Sequence, residues 1–314
     1  LLQLASLVFV MLFNSFKQFA DGITDTKTPM YIMISANLVN IAGNYILIYG
    51  KFGLPALGVV GAGISTLTAR ILMFAAFAVL RYRRYLVGYK RGKYNFTDIL
   101  SLNKMGWMVG LQMGLETALF SITGIMIGWL GSIALAAHQV MVAISTLGFM
   151  IYYGVGAAVS VRVSNYFGRQ DLLHVRRTTM AGFHLILCLA VCACTVFLFS
   201  RELIGYLFTT SEEVIRVVST LVYILLAYQF GDALQITYAN SLRGIGDVIS
   251  MAVISFIGYF LIAMPVCYIC GFVLEWGITG IWIGYPIGLT LTGVMLCGRY
   301  YWKLKTKTQS KEFY

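Results

Sequence analysis

The sequence predicts an all-α polytopic membrane protein. Three observations carry the prediction: apolar runs long enough to cross a bilayer as helices, basic residues that alternate between successive connections, and a stretch that recurs within the chain. Of the 314 residues, 59% are hydrophobic and 11% charged, against about 25% charged in soluble domains. Mean hydropathy is +0.81. Lipid is therefore the solvent for most of the chain, and each span must satisfy its own backbone hydrogen bonds.

A spanning helix needs about 20 apolar residues. The runs, in order, are 1–16 (incomplete), 29–50, 57–80, 106–130, 137–160, 179–199, 214–240, 248–271 and 277–300, which makes eight whole spans and one partial. None shows the period-two alternation of a barrel strand. The 20 Tyr, 20 Phe and 5 Trp gather near the ends of the runs, as interfacial belts do. The first run opens at Leu1 with neither an initiator Met nor a basic segment before it, so a truncated chain is expected.

The connections set the orientation. Counting alternate gaps, one side carries Lys17 and Lys27, then seven basic residues between Arg81 and Lys104, then Arg162, Arg169, Arg176 and Arg177, then Arg243, then Arg299 and the lysines at 303, 305, 307 and 311; this is 19 of the 23 basic residues. The other side holds Lys51, Arg201 and Arg216 among four glutamates. The positive-inside rule makes the first side, and the C-terminus, cytoplasmic. The longest connection, 81–104, is basic and rich in Tyr. It is expected either to lie on the anionic membrane face or to be a solvated loop. Because the excess charge of +11 falls in short gaps and forms no surface fitted to a phosphate backbone, a nucleic-acid partner is excluded.

Gly22-Ile23-Thr24-Asp25 recurs 222 residues downstream as Gly244-Ile245-Gly246-Asp247, and Gly58 recurs as Gly280 at the same offset. Each copy leads into a span, an outer turn and a second span. The repeat is parallel, not inverted. Extrapolated upstream it implies about three spans before Leu1 at ~20 residues each. The expected full protein then has 12 helices in two pseudo-symmetric six-helix bundles, about nine of them present here. Residues 1–80 would be the C-terminal part of an N-lobe (helices 4–6), 81–104 the cytoplasmic inter-lobe loop, and 105–314 a C-lobe (helices 7–12) with a cytoplasmic tail.

Ionisable residues inside a span are costly and mark function. Glu116 lies 12 residues past Lys104, and Asp232 lies 11 before Arg243, so both sit roughly 16–18 Å from the cytoplasmic edge. Two carboxylates at one depth, on different helices, could share a cavity. They suit a Na⁺ held by hard oxygen ligands, or a shared proton, since like charges at close range resist both being ionised. Gln112 and Tyr228, each four residues before an acid, share its helix face. Asn40 and Asn44 make another such pair, facing either a cavity or a neighbouring helix. Arg70 also lies at depth, with a partner acid or water to be found. His138 and His184 read as ordinary hydrogen-bonding residues. Cys267 and Cys270 have a C-x-x-C spacing but no polar company, and read as small residues packed between helices. No nucleophile set, metal motif or Walker A sequence appears, so no enzyme and no cofactor is expected, and an ion gradient would supply energy.

Several stretches resemble the multidrug and toxic compound extrusion (MATE) family in its NorM-like branch: Ala134-Leu135-Ala136-Ala137-His138-Gln139-Val140; Gly154-Val155-Gly156-Ala157-Ala158 through Val161-Arg162-Val163-Ser164-Asn165-Tyr166-Phe167-Gly168-Arg169; Tyr49-Gly50-Lys51-Phe52-Gly53-Leu54-Pro55; and Leu242-Arg243-Gly244-Ile245-Gly246-Asp247. The resemblance implies that the visible spans are the family's helices 4 to 12. It implies that Glu116, Asp232 and Tyr228 bind the coupling cation, Na⁺ or H⁺, and that Asn40 and Asn44 lie near an N-lobe acid. The implied function is antiport of organic cations and drugs from a bacterial inner (plasma) membrane, by a monomer in the lipid bilayer. The alternative, export of lipid-linked or polysaccharide precursors, would favour an Arg-rich cavity, and Arg70 is the one Arg within a span by this reading. A scaffold without transport would leave the buried acids without a use.

Overall fold

The computed structural model describes residues 2–53, 55–86 and 95–312, and their secondary structure is helical throughout. It forms two compact units, Leu1–Tyr94 and Asn95–Tyr314. The first contains α1 (Leu2–Gly22), α2 (Lys27–Tyr49) and α3 (Gly58–Leu86); the second contains α4 (Phe96–Gly128), α5 (Ser132–Gly168), α6 (Leu172–Phe199), α7 (Arg201–Phe208), α8 (Glu212–Gly244), α9 (Val248–Val273) and α10 (Gly277–Glu312). Eight of these (α2–α6 and α8–α10) are long and apolar enough to cross a membrane, and many large apolar side chains stand on their outer faces. That inversion is what a lipid solvent asks for.

Three details differ from the sequence reading. The connection expected at 81–104 is shorter, because α3 continues to Leu86 and Asn95 caps α4 by accepting from the Thr97 backbone N–H. Residues 87–94 of that segment, where a membrane-lying stretch was expected, fall outside the described residues. A short helix, α7, fills part of the gap before α8. And α9 contains two π-helical stretches, Ile257–Ala263 and Ile269–Val273.

In the first unit α3 packs on α1 and α2. Phe13, Phe16 and Phe77 form its aromatic centre, with Phe13 edge-on to Phe77 at 5.9 Å and Phe16 stacked on Phe77 at 5.7 Å. In the second unit α8 is central and packs on α5, α6, α7, α9 and α10. Its neighbours come close through small residues: a Cβ on Gly148 or Gly156 of α5 would meet Gln229 or Asn240 of α8 at 3.0 and 2.7 Å.

The repeated sequence turns out to be a repeated corner, and a third copy exists. After α1, α5 and α8 the chain reads Gly-x-x-Asp, at 22–25, 168–171 and 244–247. In each corner the residue before the Asp is left-handed: Thr24 (φ 66), Gln170 (φ 59) and Gly246 (φ 78). In each, the Asp N–H donates five residues back, to Ala20, Tyr166 or Leu242, at 2.9–3.0 Å. This Schellman-type closure satisfies the last carbonyls of one helix. The Asp side chain then starts the next: Asp25 accepts from Thr28, Asp171 from the His174 backbone N–H, and Asp247 from the Ser250 hydroxyl. The His174 N–H holds the Asp171 carboxyl below its ordinary range. Asp247 is buried, which pushes its carboxyl up, but Arg299 at 2.8 Å, Ser250 and Lys303 outweigh burial and hold it below the ordinary range.

The cysteine reading is confirmed by α10. Gly280, Gly284 and Gly288 lie four residues apart and press against α9, where an added Cβ would meet the Cys270 carbonyl, Cys267 Sγ and Ala263 Cβ at 2.2–2.3 Å. All six cysteines are free thiols.

Two outcomes follow. Gly288→Val forces α9 and α10 apart and should cost about 1–3 kcal/mol, seen as a lower melting temperature in detergent; an unchanged melting temperature would show that the helices do not meet there. Asp247→Asn should cost about 1 kcal/mol at neutral pH. Because the folded carboxyl titrates below its unfolded value, that contribution is present above the ordinary aspartate range and fades as pH falls through the folded value. The gap between wild type and variant in a thermal-shift assay should therefore close on acidification.

Candidate functional site

The second unit holds a half-open cavity of about 420 Å³ between α4, α5 and α8. Met113, Phe120, Val142, Phe149 and Met150 give it a mostly apolar wall, into which Gln112, Glu116, Tyr228, Gln235, Asn240 and Arg243 bring polar groups. Apolar walls with few polar groups suit an amphiphilic ligand.

Glu116 lines the cavity from the middle of α4 and is half-buried. The i, i+4 pairing is realised: Gln112 Nε2 donates to Glu116 Oε2 at 3.1 Å. Gln112 Oε1 in turn accepts from Arg243 Nη2 at 3.2 Å, and Arg243 Nη1 donates to Asn240 Oδ1 at 3.4 Å. Tyr228 also lines the cavity, its ring edge-on to Tyr285 at 6.4 Å, and the Tyr285 hydroxyl bonds Thr123 Oγ1 at 2.5 Å. Gln235 donates to the Tyr259 hydroxyl at 2.7 Å.

Asp232 is placed differently from the expectation of a shared cavity. It is 1% exposed and does not line the cavity wall, although Tyr228 and Gln235 on either side of it do. Neither of its carboxyl oxygens has a hydrogen-bond partner among the described residues. Its charge and that of Glu116 act on each other, and both act on the Tyr228 hydroxyl. An isolated buried carboxylate is costly; two interacting carboxyls with unused lone pairs, beside phenol and amide oxygens, fit a proton or a hard cation.

In the first unit, Asn40 Nδ2 donates to Ser65 Oγ at 3.3 Å and Thr66 Oγ1 at 3.4 Å, and Asn44 Nδ2 donates to Asn40 Oδ1 at 3.3 Å. Of the two expectations for this pair, the bond between helices is the one observed, joining α2 to α3. Arg70 donates to Ser6 Oγ on α1. An apolar groove of about 250 Å³ between α2 and α3 is lined by none of the three. His138 corrects its expectation: its Nδ1 is buried without a hydrogen-bond partner among the described residues, and the ring packs edge-on to Trp282 at 5.7 Å.

Arg243, Asn240 and Gln235 were missed by sequence reasoning. Arg243 was counted as a loop charge because it ends an apolar run, yet α8 is helical through Gly244. The available signal was spacing: Tyr228, Asp232, Gln235, Ala239 and Arg243 follow steps of three and four, one helix face.

Among the described residues the apolar helical spans, with one acid on a cavity wall and a second buried off it, are the features of a polytopic membrane protein of the transporter class. The chain belongs to the MatE family, whose model matches residues 109–269. It is 34% identical to the multidrug resistance protein NorM of Photobacterium profundum, over 96% of this chain and 68% of that protein, and 33% identical to NorM of Vibrio cholerae, over 94% and 67%. The chain thus spans about two thirds of the length of these relatives. Its fold is similar to that of the Vibrio cholerae MATE transporter VcmN, with a TM-score of 0.88 at 17% identity over 96% of this chain and 68% of that one.

The placement of Asp232 has a direct check. In a background without native cysteines, Thr117→Cys, on the cavity wall, should react with a small maleimide, whereas Gln229→Cys, beside Asp232 and fully buried, should not. Equal labelling of both would show that the cavity extends to Asp232.

Proposed function

We propose that this chain forms most of a Na⁺- or H⁺-coupled antiporter that expels amphiphilic organic cations and other drugs across a bacterial inner membrane. The observation that carries the reading is Glu116 on the wall of a mostly apolar cavity, with the buried Asp232 one helical turn from Tyr228, which lines the same wall. The relatives' names as multidrug resistance proteins support the substrate class. Residues 1–80 belong to the N-lobe, 81–104 join the lobes, and 105–314 form the C-lobe, with the C-terminus cytoplasmic. The protein works as a monomer, without a cofactor.

The coupling ion binds Glu116 and Asp232, with Tyr228 as a third oxygen donor. Its binding favours the state that releases drug outward, since an ion shifts a two-state equilibrium only through different affinities for the two states. Alternating access of the cavity follows from that shift. Among the described residues Arg243 is the one Arg that lines the cavity, and it is already tied to Gln112 and Asn240, which speaks against the Arg-rich site that polysaccharide or lipid-linked anions would need.

Ethidium efflux by the complete protein in proteoliposomes, driven by an imposed Na⁺ or pH gradient, tests this. Glu116→Gln and Asp232→Asn should each abolish gradient-driven efflux while leaving folded, monodisperse protein. Wild-type efflux in either variant would remove that residue from the site.

A further inference from the structure

Gln112 takes no part in the proposed ion site, yet it is 3% exposed and both ends of its amide are engaged. The partners dictate its orientation. A guanidinium offers donors only and an ionised carboxylate acceptors only, so the amide can lie one way alone. The result is a polar chain, Asn240–Arg243–Gln112–Glu116, that crosses from the last turn of α8 to the middle of α4. All four residues line the cavity where these helices face each other.

The two ends of this chain differ in freedom. The last turn of α8 is held: a Cβ on Gly244 would meet the Ser160 carbonyl and Val163 of α5 at 2.8 Å, and the Ser241 and Thr179 hydroxyls bond α8 to α6 at 3.1 Å. At the same level the face of α4 that carries Gly106, Gly110 and Gly114 is open, with nothing within 4 Å of a Cβ at any of them, and the helix packs on α9 rather than on α8. Apart from the packing of Met108 and Val109 on the core, the polar chain is what ties α4 to α8 there.

We infer that this chain is a latch that reads the charge on Glu116, an inference that rests on the ion-binding role proposed for that residue. While Glu116 is ionised, its bond from Gln112 is charge-assisted, about twice as strong as a neutral one. A Na⁺ on Glu116, or a proton, takes up that charge. Gln112 loosens, Arg243 loses its partner across the gap, and α4 parts from the last turn of α8, opening the cavity at that end. The other groups within electrostatic reach of Glu116 are Asp232 and Tyr228 on α8 and Tyr259 on α9; of these Asp232 is the one other acid, and it competes with Glu116 for the same ion, which offsets one of the two charges. Gln112 and Arg243 are positioning residues, not ion ligands.

Spin labels at Leu102 on α4 and Leu173 on α6, both exposed, report the gap. They are placed in the complete protein with its native cysteines replaced, reconstituted in liposomes, and their separation is read by double electron–electron resonance. Without Na⁺ at neutral pH, wild type should show the short separation, and either NaCl or acid pH should lengthen it. Gln112→Leu and Arg243→Gln should occupy the long state without either ion, a population shift of about tenfold, the scale of one charge-assisted hydrogen bond. If Gln112→Leu does not fold, Arg243→Gln makes the same demand. The latch is overturned if the folded variants keep the wild-type separation and response, or if wild type moves with neither ion. Efflux in the same liposomes separates the two ideas: wild-type efflux by Glu116→Gln defeats the ion site, whereas efflux lost in Glu116→Gln with an unaltered response in Gln112→Leu defeats the latch alone.

Discussion

A polar side chain inside a bilayer must face protein, so the number a span can carry depends on how completely other helices enclose it. In residues 95–314 α8 and α10 are the most enclosed spans, and α8 carries the polar set. Half of its most apolar stretch is buried, and Tyr228, Gln229, Asp232, Gln235 and Asn240 all lie inside. Enclosure at that closeness needs neighbours without bulk, and the contacting positions are glycines: Gly148 and Gly156 on α5 and Gly293 on α10 against α8, with Gly231 of α8 itself against Thr290. The acid pair, the cavity and the polar chain to α4 all depend on this packing. A larger residue at Gly148 or Gly156 would press on Gln229 or Asn240 of α8 directly.

The same logic separates the two acids. Glu116 sits on α4, which has an open face, and so reaches the cavity. Asp232 sits on the enclosed helix, off the cavity wall that Tyr228 and Gln235 line. An ion entering from the cavity would meet Glu116 first. Of the two side chains that line the cavity on either side of Asp232, Gln235 is held by Tyr259.

Much of this was legible in the sequence for physical reasons. Run length and charge alternation are imposed by lipid, so they survive without knowledge of tertiary contacts; all eight whole spans correspond to helices long enough to cross. The Gln112–Glu116 pair followed from helical periodicity alone. What failed required knowing which helix packs on which. Arg243 looked like a loop charge, Asp232 like a cavity residue, and Asn40 like a residue without a fixed direction until α3 supplied Ser65 and Thr66. The corner after α5 escaped notice because only its Gly and Asp match the other two, while Gln170 adopts the left-handed turn that Gly246 makes easily. The short α7 lay in a segment too brief for periodicity to speak.

The π turns of α9 have a geometric consequence. In a pure α-helix, every fourth residue is rotated about 40° from the last, so a row of contacts spaced by four winds away from a straight partner. Along α9 the row Tyr259, Ala263, Cys267 and Gly271 is spaced by four, yet Ala263, Cys267 and Gly271 meet Gly288, Gly284 and Ile281 of α10 in order. Wider turns rotate less per residue, so alternating them with α turns cancels the winding. They act as a vernier, keeping one edge of α9 aligned with α10 from Ala263 to Gly271 while Tyr259, at the head of the row, reaches Gln235 on the cavity wall.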